Sequence, residues 1–137
     1  MTHTLKAHTM QIRHVVIKVN DQDKALAFYT TILGFVKKLD IPGSIRWLTV
    51  ASPEGAEGVE LVLEPNHFPP ALASQKALYD GGFPATIFTT NDIAAEYRRL
   101  MSLGVKFREE PKSVGPVTFA FFDDTCGNLI VLNQRTA

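Results

Sequence analysis

Apolar and polar residues alternate along HVVIKV, residues 14–19, and then recur every three or four positions along DKALAFYTTIL, residues 23–33. Alternation puts His14, Val16 and Lys18 on one side of an extended strand and Val15, Ile17 and Val19 on the other. Helical spacing gathers Ala25, Phe28, Tyr29, Ile32 and Leu33 into one stripe, with Asn20 or Asp21 as N-cap and Gly34 as the stop. Three short extended runs follow: FVKKLD (35–40), SIRWLTVAS (44–52) and GVELVLE (58–64). The breakers Pro42-Gly43 and Pro53-Glu54-Gly55 separate them.

The same order then returns. FPATIFTT (83–90) predicts a strand, and Asp92 caps a helix whose stripe is Ile93, Tyr97, Leu100 and Met101, ending at Gly104. VKFREE, GPVTFAFFDD and NLIVLNQ predict three further strands. HVVIKVND and ATIFTTND stand 71 residues apart, and the same offset carries Glu60 to Val131 in the last strand of each half. The chain therefore reads as α+β, built from two tandem βαβββ modules. A flexible leader covers 1–10, the first module 11–64, a Pro-rich linker wrapping the surface 65–82, and the second module 83–137.

Strand alternation also sorts the candidate chemistry. Val59, Leu61 and Leu63 share the face that packs under a helix, as do Val15, Ile17 and Val19; His14, Glu60, Val62 and Glu64 are left on the opposite face. Trp47 and Thr49 join them there. The matching face of the second half carries Ala85, Ile87, Thr89, Val131 and Asn133, with Phe119 as a further aromatic wall. A mostly apolar cup with a few polar groups is the usual build of a small-molecule pocket.

Composition narrows the partners. The 137 residues are 45% apolar and 20% charged, with 14 basic against 14 acidic side chains and no basic run. That pattern suits one globular unit and gives no electrostatic support to a nucleic-acid or membrane-surface partner. No apolar run approaches a membrane span and the leader lacks a signal-peptide core, so the expected location is cytoplasmic. The single cysteine, Cys126, fits a reducing compartment and reads as a small apolar residue beside a turn. His3, His8 and His67 read as exposed loop histidines, and Lys18 and Arg46 as solvated edge charges. Phe28 and Tyr29 read as helix-to-sheet packing, with a tyrosine hydroxyl free to reach a cleft or a subunit seam.

IRHVVIKVNDQDKALAFYTTILGF, NDIAAEYRRLMSLGVKF and DDTCGNLIVLNQ resemble the vicinal oxygen chelate superfamily, which includes glyoxalase I, bleomycin-resistance proteins and extradiol dioxygenases. The resemblance implies two βαβββ modules forming a cupped, incomplete barrel, paired in a homodimer. It also implies a divalent metal (Zn, Ni, Mn or Fe) held by one residue from the first and one from the last strand of each module. His14 and Glu60 match the first module's positions; Ala85 and Val131 occupy the second module's and cannot ligate. The turn Asp124-Thr125-Cys126-Gly127-Asn128 keeps only the Asp, Gly and Asn of the family's D-P-x-G-N.

Three readings stay open on the sequence. The cup binds a small planar or aromatic molecule without a metal or other cofactor. Alternatively His14 and Glu60 serve a lyase, isomerase or dioxygenase as a reduced metal site or an acid–base pair. In the third, the two are an inherited ion pair with no chemistry.

Overall fold

The computed structural model describes residues 8–55 and 57–135, so His3 lies outside the described residues. Two four-stranded sheets carry the chain. The first holds β1 (His14–Val19), β2 (Val36–Ile41), β3 (Trp47–Ala51) and β4 (Glu60–Pro65) in the order β1-β4-β3-β2. The second holds β5 (Thr86–Thr89), β6 (Lys112–Val114), β7 (Val117–Asp123) and β8 (Leu129–Arg135) in the order β5-β8-β7-β6. In each, the first strand runs parallel to the last and the other pairs are antiparallel. This is the duplicated α+β architecture expected from the repeat, and neither sheet closes into a barrel.

Helix α1 (Gln22–Ala27) follows β1, and α3 (Ile93–Ser102) follows β5. Asp21, not Asn20, is the first cap: its carboxylate accepts the Lys24 N–H at 3.1 Å, and Asp92 accepts that of Ala95 at 3.0 Å. A carboxylate there satisfies an orphan amide and opposes the positive end of the helix. The first helix gives way to a π-helical turn over Phe28–Ile32, which turns both Phe28 and Tyr29 into the core.

Ile17, Val19, Leu48, Val50 and Leu63 of the first sheet cluster with Phe28, Tyr29, Ile93, Leu100, Phe122, Ile130 and Leu132. The two modules thus share one core. Val15, grouped by alternation with Ile17 and Val19, is instead 41% exposed.

Three sequence expectations change. Residues 65–82 do not wrap irregularly: they contain helix α2 (Pro69–Asp80). Its two prolines occupy the first helical positions, where a missing N–H costs nothing and φ is already set. VKFREE forms no strand; only Phe107 bridges to Phe122, and the strand flanking β7 on the side away from β8 is Lys112–Val114.

Nor does the single offset of 71 hold to the end. β1 pairs with β4 at a separation of 46 residues, His14 with Glu60, whereas β5 pairs with β8 at 44, Ile87 with Val131. With the caps 71 apart, the residue paired with Val131 is Ile87 and not Ala85. A period-2 pattern cannot detect a two-residue shift, which leaves every side chain on its face.

Candidate functional site

Cross-strand pairing brings the first-module candidates onto one face. His14 lies in register with Glu60, and Val16, Val62, Thr49 and Leu39 form the next row. The Thr49 hydroxyl donates to Glu60 Oε1 at 2.6 Å and accepts the Leu39 N–H at 3.1 Å, which fixes one oxygen of the carboxylate. The His14 ring stands edge-on to Trp47, with centroids 5.5 Å apart. Thr49 and Val62 are buried and make the floor, while Trp47 stands 37% exposed above it. Val16, Leu39 and Ile41 add apolar surface open to solvent on this face.

Neither Lys18 nor Arg46 is a solvated charge waiting for an anion. Lys18 is ion-paired with Glu64 on the same face. Arg46 grips Asp40 through Nε and Nη2 at 2.8 and 2.9 Å and reaches Asp23 at 2.6 Å. The Arg46 pairing draws the Asp40 carboxyl below its ordinary value.

In the second module, Thr89, Asn133, Phe119 and Lys112 form one row, and Ile87, Val131 and Phe121 another. Thr89 Oγ1 donates to Asn133 Oδ1 at 2.8 Å, and the rings of Phe119 and Phe121 meet at 5.9 Å. A cavity of about 350 Å³ lies beside Phe119 and Phe121, lined also by Leu129, Arg108, Glu109, Glu110 and Lys112, and Ile87, Thr89, Val131 and Asn133 take no part in it.

These donors do not fit a divalent metal. Catalytic zinc or iron sites take three or more protein ligands. Here Ala85 and Ile87, Leu129 and Val131 offer only hydrocarbon in the second module, whichever register is used. Among the described residues no three His, Cys, Asp or Glu side chains come together.

Asp124, Gly127 and Asn128 turn out to be structural. Asp124 Oδ1 accepts the N–H groups of Cys126 and Asn128 at 2.7 and 3.0 Å, and Oδ2 accepts Tyr29 O–H at 2.6 Å and Asn128 Nδ2 at 2.8 Å. The Tyr29 hydroxyl therefore joins the modules inside the core and reaches no cleft. Burial, with Asp124 alongside, pushes its pKa well above the ordinary value. No buried side-chain N or O among the described residues lacks a partner, the condition such a network must meet.

A profile of the Glyoxalase/Bleomycin resistance protein/Dioxygenase superfamily matches residues 11–132. The chain belongs to that superfamily. It is 52% identical over 127 residues to the uncharacterized protein YurT of Bacillus subtilis (strain 168), covering 92% of this chain and all of that one. A probable lactoylglutathione lyase of Synechocystis sp. (strain ATCC 27184 / PCC 6803 / Kazusa) is 30% identical over 132 residues, 93% of this chain and 98% of its own. The crystal structure of TnmS3, an antibiotic binding protein from Streptomyces sp. CB03234, superposes with a TM-score of 0.74 at 30% identity, covering 95% of this chain and 99% of that one.

For this superfamily member, sequence reasoning placed the cup residues on their faces but missed Gln75, Asn66 and the Tyr79–Asp123 contact, all tied to α2. The Pro-Pro opening and the Ala71, Gln75, Tyr79 spacing were the signals available. Cys126 is buried, and burial pushes its thiol up to about 11, with Asp124 adding to the shift. At pH 8 the native chain is expected to react with an aromatic disulfide reagent about 100-fold more slowly than the urea-unfolded chain. Equal rates in the two states would contradict this burial.

Proposed function

We propose that the chain binds a small, planar, largely apolar molecule in the cup, that binding needs no metal or other cofactor, and that a second copy closes the cup. One observation carries the reading. The face holding His14, Glu60, Trp47, Thr49 and Val62 exposes aromatic and aliphatic surface, and its counterpart with Ile87, Phe119, Val131 and Asn133 contributes no histidine, cysteine or carboxylate. Apolar surface of this kind, with a few directed polar groups, favours a ligand or a partner over open water. The antibiotic-binding relative supports a small-molecule ligand. Among the described residues no helix is long and apolar enough to cross a membrane.

The test is a thermal-shift screen in which any ligand that binds only the native state raises the midpoint with concentration. Planar aromatic compounds are expected to stabilise the wild type, while nickel, zinc, manganese and iron(II) stabilise it no more than they do His14→Ala. A metal effect abolished by His14→Ala would overturn the metal-free reading. Sedimentation is expected to give twice the mass of one chain.

A second reading has one specific support: the Thr49-held carboxylate of Glu60 lies in register with His14, an arrangement suited to moving a proton alpha to a carbonyl. The lyase relative agrees with it. Turnover of such a substrate, lost in a folded Glu60→Gln variant, would establish it over pure binding.

A further inference from the structure

Helix α2 turns Ala71, Gln75 and Tyr79 toward the rest of the protein, four residues apart, yet none of its 12 residues is buried. Leu72 and Leu78 point to solvent. The attachment is therefore polar. Gln75 Nε2 donates to the Lys18 carbonyl at 2.9 Å and Asn128 Oδ1 at 3.0 Å, with the Cys126 carbonyl at 3.4 Å, while Oε1 accepts from Asn66 Nδ2 at 2.6 Å. Tyr79 donates to Asp123, and the Arg108 guanidinium lies 5.2 Å over its ring.

These contacts are not confined to one module. Lys18 belongs to the first, and Asn66 follows its last strand and bonds to Val19; Cys126 and Asn128 belong to the second. Gln75 thus spans the seam, and its amide lies over Gly127, where a Cβ would come within 2.9 Å of Nε2. At the same point Asn20 N–H donates to the Cys126 carbonyl at 3.2 Å, a backbone bond across the seam. Hydrogen bonds on a half-exposed helix exchange for water at small net cost, whereas the strands of both modules are held by the shared apolar core.

We propose that α2 is a detachable latch across the seam: it undocks as a unit, withdrawing Gln75 from both modules, while the two sheets stay folded. Undocking withdraws Gln75 from the Lys18 and Cys126 carbonyls, which keep across the seam their bonds from Asn128 Nδ2 at 2.7 Å and the Asn20 N–H at 3.2 Å, so the seam is loosened and not opened.

Residue-resolved hydrogen exchange on the full chain tests this. In the wild type, amides in the last two turns of α2 are expected to exchange about 100-fold faster than those of Val62, Ile130 and Leu132. In Gln75→Ala, α2 and the Asn20 amide are expected to exchange about tenfold faster again, with the strand amides unchanged. Equal protection of α2 and the strands in the wild type would overturn the latch. So would an Asn20 amide that ignores the substitution, or a Gln75→Ala chain that fails to fold, because a latch is dispensable to the sheets.

Discussion

Replacing Asp124 with alanine is expected to cost about 4 kcal/mol of folding stability, among the largest effects for a single side chain in this protein. The carboxylate receives four hydrogen bonds from three residues in two modules, and alanine leaves those donors without an acceptor. Tyr29→Phe removes only one of them, and its expected cost is about 1.5 kcal/mol. Urea denaturation of the two variants measures the ratio, and a Tyr29→Phe loss equal to that of Asp124→Ala would show that the turn amides do not depend on the carboxylate.

A pH dependence accompanies it. Burial raises the Asp124 carboxyl above its ordinary 3.8, more than its hydrogen bonds from Tyr29 and Asn128 lower it. The folded chain then holds that proton more firmly than the unfolded chain does. Asp124 thus withdraws stability as pH rises from about 3.8 through its folded value, and no further change follows above it. A folded Asp124→Asn variant is expected to lack that slope.

Trp47→Ala is expected to weaken binding of a planar aromatic ligand by about 2 kcal/mol, about 30-fold, with the urea midpoint nearly unchanged. The indole stands partly exposed over the buried Thr49–Val62 floor, and its aromatic contact is the His14 ring. It therefore contributes little to the core and much to any ligand laid on that face. Isothermal titration with a compound found in the thermal screen measures the loss. Unchanged affinity would move the ligand to the Phe119 side of the cup; a collapsed midpoint would make Trp47 a folding residue.

Most of the fold was legible because its signals are local. Alternation in 14–19 and 59–64 assigned His14 and Glu60 to one face, and the caps at Asp21 and Asp92 marked two equivalent helix starts. Val15 and the VKFREE run misled for one reason: apolar pattern reports what a strand is able to bury, and neighbouring elements determine what is covered. The Pro-rich stretch 65–82 read as a linker because a proline's effect depends on whether it falls at the first turn of a helix or inside it.

The candidate site divides the same way. Residue identity alone determined that Ala85 and Val131 cannot ligate a metal, since methyl and branched hydrocarbon groups have no lone pairs to offer. It also determined that the cup is apolar, because face assignment needs only a two-residue period. Pairing decided the rest. The separation of 46 residues in one sheet and 44 in the other sets which side chains stand opposite His14 and Val131, and a two-residue slip is invisible to any pattern of period two. The bonds from Thr49 to Glu60, Tyr29 to Asp124 and Gln75 to Asn128 join residues 11, 95 and 53 positions apart. The first of these forms within one module, but the other two exist only once both modules have closed on a common core, so tertiary structure alone could turn the Asp, Gly and Asn of one turn into the joint between them.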